Sequence, residues 1–284
     1  MTYTISTLKS VSLDTILACF NEAFSDYSQP MHLDKEALKA MMLRNNTELS
    51  LSPASFDEEG KLVGFMLIGI GRYQNKVTGY IGGAGVVPCA RGNSLTKEMF
   101  NSILPKLKRE GIEILYLEVI STNVVAKGIY EALGFEKTRD LYCYSGDIKQ
   151  FTYDGEVIVR LLVDYDWSLF ESFWDTHPSW QNGMAAVEKL IDTIDIYGAY
   201  NESDLVGYIA YNPKNQQIAQ LAVQSNHRHK GVAKALIHHV ICNHPRSVKV
   251  LNVDSDAEIT ISLLESLGLN RFVEQYEMSK ELTK

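Results

Sequence analysis

Short apolar runs alternate along the chain with longer segments whose apolar residues have helical spacing, and this alternation predicts an α/β fold. Leu62–Ile70 is a continuous apolar run with the length of a buried strand, too short to span a bilayer. Ser12–Phe24 has one apolar helical face, and Asp34 is a predicted N-cap of a second helix. Glu113–Ile120 is predicted as a strand, and Asn123–Leu133 as the helix that follows it.

The same motifs occur twice in the same order. Lys61–Met66 has an echo in Asp204–Ile209, and Tyr130–Phe135 has one in Leu264–Leu269. Between these echoes each copy has a strand that leads through a basic loop into a helix. The offset between the copies falls from 143 to 134 residues along the chain, so the order is kept and only the loop lengths drift. This pattern indicates an internal duplication.

The length of 284 residues agrees with this duplication, since it is about twice a common domain size. We therefore predict two domains in tandem, residues 1–148 and residues 149–284. A hydrophobic content of 45% and a charged content of 22% are typical of globular domains that bury two cores.

Each basic loop is a candidate anion site. Val86-Val-Pro-Cys-Ala-Arg-Gly-Asn-Ser94 and Ala222-Val-Gln-Ser-Asn-His-Arg-His-Lys-Gly231 both end a strand and open a helix. Free N–H groups of a turn and of the first helical turn point outward, and the helix dipole favours negative charge there. Alone, a loop of this kind is only a moderate signal.

Three segments together resemble a known family. Arg228-His-Lys-Gly231-Val-Ala233 fits the R/Q-x-x-G-x-G/A signature by which GNAT enzymes hold the pyrophosphate of coenzyme A. Val86–Gly92 resembles the family's approach to that loop, and Leu117–Phe135 resembles its strand and helix almost position by position. The spacing of Glu118, Asn123 and Tyr130 is like that of ribosomal-protein alanine acetyltransferases. The resemblance implies two tandem GNAT folds, each a twisted mixed β-sheet flanked by helices.

The resemblance also implies acetyl-CoA as the co-substrate. Its expected binding residues in the first copy are Val86, Val87, Arg91, Gly92, Asn93, Ser94, Leu95, Thr96 and Asn123. Candidate cofactor-loop residues in the second copy are Val223, Arg228, His229, Lys230, Gly231 and Ala233. Ser94 and Thr96 stand where glycine or alanine is usual, so we expect a side chain of the first loop to crowd the phosphate path.

Transfer of an acetyl group to an amine needs a neutral amine, a stabilised oxyanion and a protonated thiolate. Tyr130 stands at the family position of the acid, and Glu118 at a position from which it could accept the amine proton. The alternative for Tyr130 is a core aromatic, and for Glu118 a surface carboxylate or a partner of an arginine. Glu22 and Tyr27 are candidates for the acceptor site, because the family places the junction of the first two helices there.

The corresponding positions of the second copy are Asn252, Ala257 and Leu264, so its polar groups differ and its tyrosine is lost. We therefore expect the first domain to be catalytic, an N-acetyltransferase acting on a primary amine by direct attack in a ternary complex. The alternatives are catalysis in the C-terminal copy, a non-catalytic acyl-CoA-binding or sensor protein, and transfer to a protein N-terminus instead of a small amine.

The net charge and the spacing of the cysteines exclude several classes of partner and cofactor. A net charge of −8 argues against non-specific nucleic-acid binding, which needs a basic surface. The four cysteines stand singly, which is typical of reduced thiols and of neither a disulfide framework nor a zinc site. We expect a cytoplasmic enzyme with a small-molecule or peptide amine acceptor, no metal, no nucleic acid and no membrane anchor; a homodimer is left open.

Overall fold

The computed structural model describes residues 2–27, 31–153 and 156–282. The chain forms two compact units, Met1–Thr138 with Tyr276–Lys284, and Arg139–Gln275. The boundary expected from the sequence lies after residue 148. The compact units divide earlier, between Thr138 and Arg139, and the last residues of the chain belong to the first unit.

The first unit contains the N-terminal strands and helices together with the end of the last strand. Its strands are β1 (Thr4–Thr7), β2 (Pro53–Phe56), β3 (Leu62–Tyr73), β4 (Lys76–Val86), β5 (Ile114–Ile120) and the part of β12 (Asn270–Glu281) from Tyr276 onward. Its helices are α1 (Leu13–Ala23), α2 (Lys35–Arg44), α3 (Leu95–Arg109) and α4 (Val124–Ala132).

Strands β1 to β4 of the first unit are antiparallel neighbours in chain order, and β5 adds parallel to β4. Helices cover both faces of this mixed sheet. One core cluster includes Phe20 of α1 and Leu38 of α2, and another includes Phe100 of α3 and Tyr130 of α4. Met278 belongs to the second cluster, so the end of the chain completes the core of this unit.

The second unit repeats this plan. Its strands are β6 (Glu136–Asp147) from Arg139 onward, β7 (Ile158–Leu161), β8 (Asp195–Asn201), β9 (Asp204–Asn212), β10 (Gln217–Val223), β11 (Ser247–Asp254) and the part of β12 before Tyr276. Its helices are α5 (Trp167–Glu171), α6 (Met184–Lys189), α7 (Val232–Asn243) and α8 (Glu258–Ser266). Strands β7 to β10 are antiparallel neighbours, and β11 adds parallel to β10.

Local sequence signals explain where the helices of the first unit begin. The Ser12 hydroxyl accepts from the N–H of Thr15 (3.1 Å), and the Asp34 carboxylate accepts from the N–H of Ala37 (2.7 Å). Each cap satisfies one amide that the first helical turn leaves without an intrahelical partner. The fold predicted from the sequence, two mixed α/β repeats, is confirmed.

Candidate active site

Strands β4 and β5 of the first unit separate part of the way along the sheet. Their parallel register ends at the pair Ile81–Leu117, whereas β4 continues to Val86. At this point the pairing of β4 with β3 shifts by one residue, which makes Gly82 a β-bulge. Because a bulge bends its strand, β4 turns away from β5 beyond Ile81. An extended ligand can therefore enter between the strands and bond with the edge of β4.

The second unit has the same separation. The register of β10 with β11 ends at Ile218–Val250, while β10 continues to Val223. The pairing of β10 with β9 shifts around Ala219, which is the position equivalent to Gly82. Both copies thus keep the geometry that opens a sheet between its two parallel strands.

The loop after each bulged strand has the same backbone in both units. Gly92 and Ser94 have left-handed φ angles of 79° and 57°. The equivalent residues His229 and Gly231 have φ angles of 59° and 79°. Ser94 directly precedes α3 and Gly231 directly precedes α7, so each loop presents the first amides of a helix of more than ten residues. The backbone of the first loop therefore follows the path of the second, and crowding of the phosphate path by the Ser94 side chain stays a prediction.

The arginine of the first loop ties the loop to the rest of its unit. Nε of Arg91 donates to the carbonyl of Val86 (3.1 Å), and Nη2 donates to the carbonyl of Ala23 (2.8 Å). Both Nη atoms also reach the carboxylate of Asp26, at 2.6 and 2.8 Å. These hydrogen bonds hold the pKa of Asp26 below its usual range. Arg91 therefore positions the loop through the end of α1 and the end of β4.

The arginine of the second loop makes equivalent contacts. Nε of Arg228 donates to the carbonyl of Val223 (3.0 Å), and Nη2 donates to the carbonyl of Phe173 (3.0 Å). Its Nη1 forms an ion pair with Asp175. The motif arginine thus has the same positioning role in both copies.

Tyr130 lies on α4 in the core cluster of the α3–α4 side. Its residue surface is 9% exposed, and its ring meets that of Phe135 edge-on at 5.8 Å. Burial raises the pKa of Tyr130 to about 12, and the neighbouring Tyr27 contributes in the same direction. The phenol therefore stays protonated throughout the neutral range.

Asn123 joins the start of α4 to Tyr27. Its Oδ1 accepts from the N–H of Ala126 (3.0 Å) and so caps α4, and its Nδ2 donates to the Tyr27 hydroxyl (2.8 Å). Tyr27 was predicted to lie at the acceptor site. The structure brings it to Asn123 and close enough to Tyr130 for the two phenols to interact electrostatically.

Glu118 lies on the other face of β5. It alternates with Leu117 and Val119, which belong to the same core cluster as Tyr130. The hydroxyl of Tyr80 donates to the Glu118 carboxylate. Glu118 is the first residue of β5 beyond the last pair with β4, so its partly buried carboxylate lies at the opening between the strands.

Arg44 and Tyr80 were not singled out by any sequence motif. Arg44 ends α2, and its burial lowers its pKa, while the charges of Tyr80 and Glu118 act in the opposite direction. The next residue, Asn45, is buried against the bulge, since a Cβ added at Gly82 would lie 2.4 Å from its Nδ2. The packing of α2 on β4 brings these side chains together, and no local spacing could have shown it.

Three other predicted residues are engaged within the protein. The N–H of Val87 donates to the carbonyl of Val63 (2.9 Å), so this amide is already bonded. Val86 pairs with Gly64 of β3, and its carbonyl accepts from Arg91. Glu22 forms an ion pair with Lys61 at 3.0 Å on the surface of the unit. The backbone amide of Val87 is therefore not available to bind a ligand.

The equivalent positions in the second unit carry different side chains. Asn252 has a left-handed φ of 56° and is buried, and its Oδ1 accepts from Nε2 of Gln275 (2.7 Å). Ala257 precedes α8 without a side-chain cap, and Leu264 is buried where the first unit has Tyr130. The second unit therefore has no phenol at the acid position.

A cavity of about 960 Å³ opens in the second unit beside its basic loop. It extends from Gly231 past Val223 to Asn252. One wall carries a chain of hydrogen bonds, in which Nε1 of Trp174 donates to the Tyr208 hydroxyl (2.7 Å) and that hydroxyl lies 2.8 Å from Oε1 of Gln220. Burial raises the pKa of Tyr208.

The part of the chain that the structure describes contains neither a metal-binding group nor a helix that could span a membrane. Within residues 2–27, 31–153 and 156–282, no three His, Cys, Asp or Glu side chains lie where they could hold a metal ion. Over the same ranges, no helix is both long enough and apolar enough to cross a membrane.

The sequence matches the profile of the acetyltransferase (GNAT) family over residues 13–135 and 161–269. A GCN5-related N-acetyltransferase from Sphaerobacter thermophilus superposes with a TM-score of 0.74 at 12% identity, covering 99% of this chain and 96% of that one. A tandem GNAT protein from the clavulanic acid biosynthesis pathway superposes with a TM-score of 0.72 at 12% sequence identity, covering 100% of this chain and 99% of that one. A putative acetyltransferase from Pyrococcus horikoshii superposes with a TM-score of 0.70 at 15% sequence identity, covering 99% of this chain and 90% of that one. At these identities the likeness establishes the fold alone. A search of curated protein sequences gave no match.

Proposed function

The chain belongs to the acetyltransferase (GNAT) family, and we propose that its first unit transfers an acetyl group from acetyl-CoA to a primary amine. The observation that carries this proposal is the placement of two proton-exchanging groups on opposite faces of β5. Tyr130 belongs to the α3–α4 side, and Glu118 lies on the opposite side at the end of the β4–β5 pairing. A thioester held between β4 and β5 would lie between them.

The loop at residues 91–96 supports binding of the donor. The amides at the start of α3 and the left-handed turn at Gly92 and Ser94 form a site for the pyrophosphate. The pantetheine chain carries amides, so it can add to the exposed edge of β4 as a further strand would. Backbone N–H groups near the bulge at Gly82 would then polarise the thioester carbonyl.

The proposed reaction is a direct attack. Glu118 takes a proton from the ammonium group of the acceptor, and the neutral amine attacks the thioester carbon. The C–N bond forms and the C–S bond breaks as the tetrahedral intermediate collapses. Tyr130 gives its proton to the departing thiolate, and the attacking nitrogen loses its second proton as the amide forms. One of the two protons lost by the nitrogen restores the Tyr130 phenol through solvent, and the other is the net proton released when Glu118 is deprotonated again.

The high pKa of Tyr130 agrees with this role in a site from which water is excluded. A thiol in water has a pKa of about 8.5, which would make proton transfer from a phenol of high pKa unfavourable. The same burial acts on thiols, however, and raises the pKa of the buried Cys19 thiol to about 12. A thiolate leaving beside Tyr130 would lose solvation as the phenolate does, so burial raises the pKa of both groups and narrows the difference between them.

Steady-state kinetics of the full chain test the proposal. Acetyl-CoA is supplied with a panel of primary amines, and the release of the CoA thiol is followed. Direct transfer predicts amine-dependent release with intersecting double-reciprocal lines and no acetyl-enzyme in the mass spectrum. Parallel lines together with an acetylated protein would indicate a covalent intermediate. A rate of CoA release that does not depend on any added amine would indicate another activity.

The cavity of the second unit favours a second function, binding of acyl-CoA without transfer. This cavity of about 960 Å³ adjoins the glycine-containing loop at Gly231, and Leu264 replaces the acid. Calorimetry of the full chain with acetyl-CoA should then give two sites per chain. Gly231→Val, which crowds the second loop, should reduce the stoichiometry to one, and a stoichiometry of one in the wild type would exclude this function.

A further inference from the structure

On the proposed acceptor side of the first unit, the Arg44 guanidinium makes few hydrogen bonds within the protein. Within residues 2–27, 31–153 and 156–282, the only hydrogen bond of the Arg44 guanidinium is a long one, from Nε to Oδ1 of Asn45 (3.5 Å). Guanidinium groups carry five donors in a planar fork. Arg44 is partly buried, so its guanidinium is only partly solvated.

The neighbours of Arg44 show that it lies near the opening between β4 and β5. The side chain of Asn45 lies against the bulge at Gly82, where β4 leaves β5. Glu118 is the first β5 residue beyond the pairing and accepts from Tyr80. Arg44 is close enough to the Glu118 carboxylate for that charge to affect its protonation. One positive and one negative group therefore lie near each other beside this opening.

We propose that the acceptor is a compact zwitterion, an amine that carries a carboxylate, with Arg44 binding the carboxylate and Glu118 the ammonium group. This inference rests on the proposed acyl transfer in the first unit. It adds the substrate class, which neither the family nor the fold specifies.

The energetics favour a carboxylate over a neutral group beside Arg44. When donor and acceptor fill the opening, they displace the water that solvates the guanidinium. A neutral amine would leave this charge desolvated and unpaired, which is costly in a protein interior. A carboxylate can accept two parallel N–H bonds from the guanidinium fork, which offsets that cost and fixes the orientation of the amine.

The test compares matched acceptors with the full chain. Each amino acid is paired with its α-carboxamide, and each ω-amino acid with the alkylamine of the same length. We expect higher kcat/KM for the carboxylate member of at least one pair. Arg44→Gln should lower kcat/KM for that member by about 10- to 100-fold more than for the neutral member, the range for hydrogen bonds to charged groups, because only the carboxylate binds the guanidinium. Arg44→Lys should give an intermediate loss.

The other outcomes separate this inference from the proposed function. If neutral members are preferred, or if Arg44→Gln lowers kcat/KM equally for both members of each pair while the protein remains folded, Arg44 acts only through its charge on Glu118 and the inference is overturned. Arg44→Lys keeps the charge and shows whether a loss in Arg44→Gln comes from misfolding. If no pair gives amine-dependent CoA release, the proposed acyl transfer fails and the inference fails with it.

Discussion

The guanidinium of Arg91 spans both carboxylate oxygens of Asp26, at 2.6 and 2.8 Å, and thereby fastens the first basic loop to the end of α1. Arg228 and Asp175 form the same pair in the second unit. Each arginine also donates hydrogen bonds to two backbone carbonyls. These bonds fix the position of its loop, and the ion pair with the carboxylate adds a further contact.

Removing the carboxylate should weaken the first loop only slightly. Asp26→Asn is expected to raise the KM for acetyl-CoA by a factor of about two to five, the size of effect for an exposed ion pair. Arg91→Ala should raise it by about tenfold or more, since the bonds to the carbonyls of Ala23 and Val86 are lost as well. The matched control is Asp175→Asn, which should leave this KM unchanged. Equal effects of Asp26→Asn and Asp175→Asn would contradict the assignment of transfer to the first unit.

The serine at the start of α3 can be exchanged for the glycine that the second loop has. Ser94→Gly removes a side chain from a left-handed position and should tighten acetyl-CoA binding. The free energy of unfolding should stay the same or rise by up to about 1 kcal/mol, because relief of strain is partly offset by the freedom of glycine in the unfolded chain.

The reverse exchange, Gly231→Ser, should cost about 1 kcal/mol in unfolding free energy, since only glycine adopts this φ without strain. Calorimetry and urea unfolding measure both variants. Weaker acetyl-CoA binding in Ser94→Gly would show that the serine hydroxyl itself contacts the cofactor.

Much of the fold could be predicted from the sequence, because its signals are local. Ser12, Asp34 and Asn123 are capping residues next to segments of helical spacing, and each caps the expected helix. The duplication was visible in three ordered echoes.

The rest depends on contacts between distant segments. Nothing local to the end of the chain indicates that residues from Tyr276 belong with the first unit, where Met278 packs in the cluster of Tyr130. The same holds for Arg44, which the packing of α2 on the sheet brings near enough to Glu118 for an electrostatic interaction. Local motifs identified Tyr130 and Glu118, but not the groups that set their surroundings.

Asn123 has two separable contacts. Asn123→Ala should lower the free energy of unfolding by about 1 kcal/mol through loss of the cap on Ala126. Asn123→Asp keeps the cap and loses the donor to Tyr27, so its stability should stay near that of the wild type. Tyr27→Phe removes the same hydrogen bond from the other side. Urea unfolding of the three variants checks this, and a loss in Asn123→Asp as large as in Asn123→Ala would refute the capping role.

The stability of the protein should fall at alkaline pH through Tyr130. Its pKa is 10.0 when exposed and about 12 in the folded chain, so the folded state holds the proton more tightly. The stabilisation is fully present below pH 10 and is lost as the pH rises through about 12. It amounts to about 2 to 3 kcal/mol, at about 1.4 kcal/mol for each pKa unit.

Urea unfolding below and above pH 10 compares the wild type with Tyr130→Phe, which has no proton to lose. The wild type should lose about 2 to 3 kcal/mol relative to Tyr130→Phe as the pH rises from 10 through about 12. Curves that stay parallel would mean that Tyr130 is solvated in the folded protein.

The most direct test of the central claim is the rate of amine-dependent CoA release by Tyr130→Phe, measured together with its affinity for acetyl-CoA. Transfer in the first unit with Tyr130 as the acid predicts a kcat about 100- to 10,000-fold below the wild type, with acetyl-CoA affinity unchanged. Tyr144→Phe, a change at another buried tyrosine, should keep the wild-type kcat. A Tyr130→Phe enzyme with the wild-type rate, especially if Arg228→Ala then abolishes it, would contradict the account and place the chemistry in the second unit.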